Sequence, residues 1–315
     1  MTISKRSSRL SKECETFSPS FLLMKNNLPI SLLLILISFV WAGSFIVVKI
    51  ATNEIDPIQL GFLRFFVATP IMVLLLLVSK KNLSIPKKEF PWLVVLGLTG
   101  VTLLYLFQFL GIAYTNASTS AILINTNVIF IALLSGAFLH ENLTRKRIIG
   151  ILLSFLGVIV IMVSRISWDE FTFTNLFFIG CLLMLLSAFC WALYSLVGKR
   201  LLRHYDGLVI TTYAFLLGSV LYLPFVATGL LPVLQQTSLN GWLAVFYLAL
   251  VCSVFGYLGW YYALNHTDAS KAAVFLNFIP FFTIIMSFFL GEPLTVFFLL
   301  GAAFIIYGVY LTQTT

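Results

Sequence analysis

The chain alternates between long apolar runs and short polar segments. A hydrocarbon layer about 30 Å thick needs about 20 mostly apolar residues for one helical crossing. Runs of that length, bounded by charged residues, Pro, Gly or Asn, predict ten transmembrane helices and hence an all-α membrane protein. They cover residues 29–50, 57–79, 91–114, 117–139, 144–164, 175–197, 207–230, 240–264, 269–290 and 294–313.

The two groups of five helices repeat each other at a spacing of about 150 residues. Corresponding positions, called repeat mates below, include Trp41 and Trp191, Asp56 and Asp206, Asn125 and Asn277, Thr144 and Thr295, and Gly150 and Gly301. The preserved order predicts a duplication, with repeats at residues 29–164 and 175–313. Because five is odd, the second copy enters the membrane from the opposite side. Such inverted repeats around a central cavity recur in secondary transporters and permit alternating access.

The distribution of basic residues predicts an orientation. Residues 1–28 form a polar, basic N-terminal arm that we expect to be disordered. With that arm inside, sixteen of the 19 Lys and Arg residues fall in cytoplasmic segments. Cytoplasmic loops retain Lys and Arg. The pattern therefore predicts a multi-pass protein of the cell (plasma or inner) membrane, with both termini cytoplasmic.

Composition supports a membrane protein and changes how the net charge is understood. Apolar residues make up 60% of the chain and charged residues 10%, against about 45–50% and about 25% in soluble domains. The net charge of +8 sits at helix ends, so it indicates topology and not a nucleic-acid partner. The four scattered cysteines do not indicate a disulfide framework.

Several short motifs resemble a known family. They are Trp41-Ala-Gly-Ser-Phe45, Arg64-Phe65, Glu141-Asn-Leu-Thr144 leading to Gly150 and Gly157, and Gly291-Glu-Pro-Leu-Thr295 leading to Gly301. Over residues 30–313 the chain resembles the EamA-type transporters of the drug/metabolite transporter superfamily. The resemblance implies ten helices, a central cavity between the halves, and export of amino acids, related metabolites or drugs. One departure is that the repeat mate of Arg64 is Ala214.

Arg64 is the first candidate for substrate binding. A charge in mid-membrane costs about 2.5–3.5 kcal/mol on insertion scales, so Arg64 should face the protein interior or water. It could be a cavity cation that favours zwitterionic or anionic substrates. It could equally be a snorkelling residue, or a structural partner of Glu54 or Asp56.

Other cavity candidates are polar or aromatic residues within the apolar runs. They are Trp41, Ser44, Gln108, Asn125, Trp191, Tyr194, Tyr257, Trp260 and Asn277. The polar members could instead bond neighbouring helices, and the aromatic ones could be packing or interface residues. Asn125 and Asn277 are favoured because they are repeat mates. Pro280, three residues after Asn277, removes a backbone donor and could kink the ninth helix.

The absence of certain residue types from the apolar runs reduces the number of possible functions. No Asp or Glu lies near the centre of an apolar run, which argues against proton-driven efflux of cationic drugs. His140, His204 and His266 lie at separate helix ends, so we expect no metal, no cofactor and no enzymatic activity.

The sequence as a whole predicts a secondary transporter or exporter of small metabolites. Amino acids or related zwitterionic or anionic compounds are the expected substrates. The alternatives are multidrug efflux, a nucleotide-sugar carrier, or a non-transporting membrane subunit. The expected partners are a small-molecule substrate and the lipid bilayer, with the protein a monomer or a homodimer.

Overall fold

A computed structural model describes residues 19–82, 84–115, 117–163, 175–226, 229–289 and 295–314, and these residues form helices and short connections without a strand. Eight of the described helices are long and apolar enough to cross a membrane. A ninth apolar helix, Ile122–Phe138, is shorter. The chain is therefore a multi-pass helical bundle, as the hydrophobic pattern predicted.

The described part of the first half contains seven α-helices. They are α1 (Pro19–Ala51), α2 (Pro57–Ser79), α3 (Phe90–Gly97), α4 (Leu103–Tyr114), α5 (Ala117–Asn125), α6 (Asn127–Phe138) and α7 (Arg145–Val163). A π-helical segment, Leu98–Thr102, joins α3 to α4, so these pieces form one continuous crossing. Helix α2 begins where predicted, because the Asp56 carboxylate accepts hydrogen bonds from the amides of Ile58 and Gln59.

The described part of the second half contains eight α-helices. They are α8 (Asn175–Leu201), α9 (Gly207–Tyr222), α10 (Leu230–Gln236), α11 (Leu239–Phe246), α12 (Gly256–His266), α13 (Ala269–Ala273), α14 (Phe278–Phe289) and α15 (Val296–Gln313). A π-helical segment, Tyr247–Phe255, joins α11 to α12, and a 3-10 segment, Val274–Asn277, joins α13 to α14.

Some boundaries differ from the predicted ones. Helix α1 begins at Pro19, inside the predicted arm, whose residues 1–18 lie outside the described part. Helix α9 ends at Tyr222, before residue 230, and continues as a 3-10 segment, Leu223–Phe225, because Pro224 has no backbone N–H for an α-helical hydrogen bond. The fourth predicted helix is divided at Thr126. The 3-10 segment that precedes Pro280 interrupts the ninth predicted helix, close to the expected kink.

Helices α7 and α15 run antiparallel and pack through glycines. A Cβ atom on Gly150 would lie 2.7 Å from the carbonyl oxygen of Gly308, and one on Gly157 would lie 2.6 Å from that of Gly301. Residue numbers rise along one helix as they fall along the other. Gly150 and Gly301 are repeat mates, as are Gly157 and Gly308, so the two contacts are equivalent under the repeat.

Four pairs of repeat mates contact each other near the middle of the bundle. Two pairs are aromatic: the ring centres of Trp41 and Trp191 lie 5.2 Å apart, and those of Phe65 and Phe215 lie 5.0 Å apart. The other two pairs meet through their hydroxyls, at 3.0 Å for Thr69 and Ser219 and at 3.2 Å for Tyr105 and Tyr257. A residue meets its own counterpart only close to the two-fold axis that relates two copies. These pairs therefore mark a pseudo-two-fold axis between the halves.

Candidate functional site

The centre of the bundle is a cluster of buried aromatic rings, and five of the predicted site residues belong to it. Trp191 is the hub: its ring lies 5.2 Å from Trp41, 5.4 Å from Tyr194, 5.5 Å from Tyr257 and 5.7 Å from Trp260. Edge-to-face and offset contacts at these separations are the favourable geometries for aromatic pairs. We call these five residues the aromatic cluster.

The predicted central cavity is not open here, because these rings fill the middle of the bundle. Of the five, Trp41 is the most exposed, at 9%. Two cavities among the described residues lie at opposite ends of the bundle. One, of about 380 Å³, is lined by Ile85, Lys87, Phe90, Leu93 and Tyr213. The other, of about 190 Å³, is lined by Ile50, Ala51, Asn53, Glu54, Ser238, Asn240 and Gly241. The rings of the aromatic cluster are therefore tightly packed in this structure.

Arg64 lies beside the aromatic cluster and is 5% exposed. Its Nε donates to the Ser253 hydroxyl at 3.0 Å. Its guanidinium carbon lies 4.6 Å from the Tyr105 ring centre and 5.2 Å from that of Phe65, distances typical of cation–π contacts. No carboxylate of the described residues forms an ion pair with it.

The alternative partners considered for Arg64 are engaged elsewhere. Glu54 accepts a hydrogen bond from Ser238 at 3.0 Å, and Asp56 caps α2. Arg64 does not snorkel to solvent either, since its side chain is buried. The Arg64 guanidinium is therefore buried, and its contacts among the described residues are the Ser253 hydroxyl and the rings of Tyr105 and Phe65.

The two π-helical segments supply polar atoms to this centre. In the segment Leu98–Thr102, the Gly100 carbonyl accepts a hydrogen bond from the Tyr257 hydroxyl at 2.8 Å. In the segment Tyr247–Phe255, the Cys252 carbonyl accepts one from Trp41 Nε1 at 2.9 Å, and the Ser253 hydroxyl accepts one from Arg64. A π-helical insertion turns backbone and side-chain groups away from the regular pattern, and such insertions are frequent at functional sites. The segments occupy corresponding crossings of the two halves.

Three buried polar atoms of the centre have no hydrogen-bond partner among the described residues: Trp191 Nε1 and the hydroxyls of Tyr194 and Tyr222. Tyr222 is fully buried and its ring lies 6.0 Å from that of Phe62. A buried donor without a partner costs about 1–3 kcal/mol. Donors that remain unpaired beside a buried cation are suited to receive a polar ligand.

The remaining predicted residues are not part of the aromatic cluster. The Ser44 hydroxyl donates to the carbonyl of Trp41 at 2.6 Å, and Gln108 is partly exposed on α4. Asn277 is fully buried and its amide donates to Ser154 at 2.7 Å. That bond joins two helices, which fits the packing alternative for Asn277. Asn125 is buried at the end of α5.

A network of charged residues lies at one end of the bundle, where α8 ends and α7 and α13 begin. We call this end the basic face. Lys199 Nζ donates to Glu141 Oε1 at 3.0 Å and to the Thr267 carbonyl at 2.7 Å. Glu141 also accepts from the amides of Ala269, at 2.5 Å, and Ser270, at 3.1 Å, and from the Ser270 hydroxyl at 2.8 Å.

This network also caps α13. Asp268 is the residue before that helix, but its side chain makes no capping bond and pairs with Arg147 at 3.0 Å. Glu141 from the first half caps that helix instead. Burial acts to raise the pKa of the Glu141 carboxyl, but the charge of Lys199 and the hydrogen bonds from Ser270 and Ala269 outweigh it and lower the pKa.

Comparison with known proteins decides the family. The model of the EamA-like transporter family matches the chain twice, over residues 28–163 and 178–314. The chain belongs to this family. The two matches coincide with the two predicted repeats, so this EamA-like transporter carries the family unit in both halves.

Relatives of this EamA-like transporter extend over nearly its whole length. An uncharacterized transporter of Archaeoglobus fulgidus is 39% identical over 283 residues, covering 89% of this chain and 96% of the relative. A "Probable amino-acid metabolite efflux pump" of Salmonella typhimurium is 27% identical, covering 89% and 93%. A solved crystal structure has the same fold, with a TM-score of 0.77 at 18% identity, covering 90% of this chain and 96% of that one.

Proposed function

We propose that this transporter exports small metabolites that carry a carboxylate, such as amino acids or related zwitterionic or anionic compounds. In this proposal transport follows alternating access between two inverted repeats. The substrate binds between the halves, at the aromatic cluster and Arg64. The observation that carries the proposal is the buried Arg64 guanidinium, which has no carboxylate partner among the described residues.

The inverted arrangement is supported by the direction of equivalent helices. An axis along the membrane normal would leave equivalent helices parallel, whereas an axis in the membrane plane makes them antiparallel. Helices α7 and α15 contain repeat-mate glycines and pack antiparallel. Contacts between mates such as Trp41 and Trp191 then lie along that axis, which is where a site reachable from both sides must be.

Arg64 is suited to hold a carboxylate. A guanidinium has five N–H donors in a planar fork that matches a carboxylate, and here only Nε has a described hydrogen-bond acceptor. An unpaired buried cation is unfavourable. A bound carboxylate would neutralise it, while the neighbouring rings would contact the apolar part of the substrate. The name of the Salmonella relative, a probable amino-acid metabolite efflux pump, is consistent with such a substrate.

The orientation in this proposal places the basic face in the cytoplasm. Lys81, Arg147 and Lys199 all lie at this end, where their ion pairs join the two halves. Lys and Arg are retained on the cytoplasmic side of membrane proteins. Both chain termini are then cytoplasmic, and export requires the substrate to enter through the basic face.

Flux measurements in proteoliposomes would test this function. A panel of radiolabelled amino acids, their decarboxylated amines and neutral analogues would be compared for counterflow. We expect exchange of the carboxylates only. Arg64→Ala should lower transport efficiency by about tenfold or more, because a charged hydrogen bond contributes about 1.5–3 kcal/mol, and Arg64→Lys should retain more of it.

The control variant is Arg203→Ala, since Arg203 is an exposed arginine at the basic face. Its efficiency should match that of the unaltered protein. Equal transport of amines and amino acids, or unchanged kinetics in a correctly folded Arg64→Ala variant, would rule out the carboxylate site.

A further inference from the structure

We propose that Glu141, Lys199 and Ser270 form a lock that closes the basic face and must open in each transport cycle. The proposal rests on the alternating-access function above and adds the contact that holds this side shut. The three residues, together called the Glu141 lock, are joined by the hydrogen bonds and the ion pair described for the charged network.

The lock connects the two halves of the protein. Glu141 comes from the connection between α6 and α7, in the first half, whereas Lys199 ends α8 and Ser270 begins α13, both in the second. The carboxylate accepts from four donors, all belonging to the second half. Separation of the halves at this face must break all four bonds together, so the contact has two states, made or broken.

Burial distinguishes this lock from an ordinary surface ion pair. The side chains of Glu141 and Lys199 are 5% and 16% exposed. Another ion pair at the same face, Lys81 with Asp206, is 50% and 38% exposed. Exposed pairs are weakened by water and contribute little, whereas removal of one partner from a buried pair leaves an uncompensated charge. Lys81 therefore offers a control at the same face.

The lock lies directly over the aromatic cluster. Lys199, Ser195 and Trp191 are spaced four residues apart on α8, so they share one side of that helix. The Ser195 hydroxyl donates to the Trp191 carbonyl at 2.9 Å and accepts from Trp260 Nε1 at 3.1 Å. Ser195 is fully buried. Movement of Lys199 away from Glu141 would thus expose the path from the basic face to Trp191.

The repeat preserves the residue types of the Glu141 lock. It does not preserve Arg147, which donates to Ser270 and whose repeat mate is Phe298. The mates of Glu141, Lys199 and Ser270 are, by sequence, Glu292, Lys49 and Ser118. Retention of all three types after duplication indicates that they are needed together.

Labelling of a cysteine beneath the lock would test the proposal. Ser195→Cys would be introduced into a chain whose native cysteines are replaced by alanine, and a membrane-impermeant maleimide would be added from the side of the basic face. In the parent protein the rate at which the maleimide labels this cysteine should be low. Glu141→Gln and Lys199→Gln should each raise it by about tenfold or more, because the buried pair is lost.

Two further variants make the outcome decisive. Lys81→Gln should leave the rate within about twofold, as expected for an exposed pair. Ser270→Ala removes two hydrogen bonds of the hydroxyl, the one donated to Glu141 and the one accepted from Arg147, but no charge, so it should give a smaller rise even if the charge variants fail to fold. An unchanged rate in all three lock variants, or an equal rise in Lys81→Gln, would overturn the lock. Labelling needs no substrate, so a failed flux assay would affect only the proposed function.

Discussion

Trp41 and Trp191, which are 150 residues apart in the sequence, meet edge to face with their ring centres 5.2 Å apart and their planes at 85°. The two indoles are repeat mates, yet their N–H groups differ. Trp41 Nε1 donates to the Cys252 carbonyl at 2.9 Å, whereas Trp191 Nε1 has no partner among the described residues. The pseudo-symmetry therefore holds for ring packing and fails for hydrogen bonding.

This difference predicts unequal effects of the same substitution. Trp41→Phe should lower the free energy of unfolding by about 1 kcal/mol more than Trp191→Phe, because only Trp41 gives up a buried hydrogen bond. Both substitutions remove a similar ring area, so each is the other's control. Melting temperatures of the purified variants in detergent would measure the difference. Equal destabilisation would contradict the assigned bond.

The packing of α7 against α15 predicts a sharp steric effect. A Cβ atom on Gly157 would lie 2.6 Å from the backbone carbonyl oxygen of Gly301, which cannot move aside as a flexible side chain could. Gly157→Ala should therefore destabilise the protein by about 1–3 kcal/mol through overpacking. Gly207→Ala is the control, since its nearest neighbour would be a Leu202 methyl at 3.3 Å.

Thermal unfolding monitored by intrinsic fluorescence would compare the two glycine variants. Gly207 is the first residue of α9, where alanine also favours a helix, so its variant should melt close to the parent temperature. If Gly157→Ala melted no lower than Gly207→Ala, α7 and α15 would not be in direct backbone contact.

Much of the fold was predictable because it depends on local pattern. Apolar runs of membrane-spanning length identified the helices, and Asp56 before Pro57 identified the start of α2. The constant offset identified the repeat. The same offset could also have identified two site residues that were overlooked, since Tyr105 is the mate of Tyr257 and Phe65 the mate of Phe215.

The other features of the fold and of the candidate site depend on tertiary contacts, which no local sequence pattern encodes. The π-helical segment Tyr247–Phe255 has no sequence signature, so the role of Ser253 as the acceptor for Arg64 was not foreseeable. Glu141 lies outside the apolar runs, yet its side chain is buried because Lys199 and α13 reach it from the other half. For the same reason Glu141, and not the adjacent Asp268, caps α13.

The lowered pKa of Glu141 predicts a pH-dependent contribution to stability. Because the folded-state pKa lies below the ordinary value of 4.5, ionised Glu141 stabilises the fold above that value, and this stabilisation is lost as the pH falls through the folded-state pKa. The parent protein should thus melt above the Glu141→Gln variant at about pH 7, and the difference should shrink below about pH 4.5.

Asp268 is the nearby carboxylate that complicates such a measurement, because it forms a second ion pair between the halves, with Arg147 at 3.0 Å. The comparison is therefore repeated with Asp268→Asn in both proteins, which removes that carboxylate while it leaves the bonds of Glu141 in place. If the difference in melting temperature narrows in the same way when Asp268→Asn is present, the pH dependence belongs to Glu141. A difference that did not vary with pH would mean that the pKa of Glu141 is the same in the folded and the unfolded protein, and a stabilising ion pair with Lys199 would then have to be abandoned.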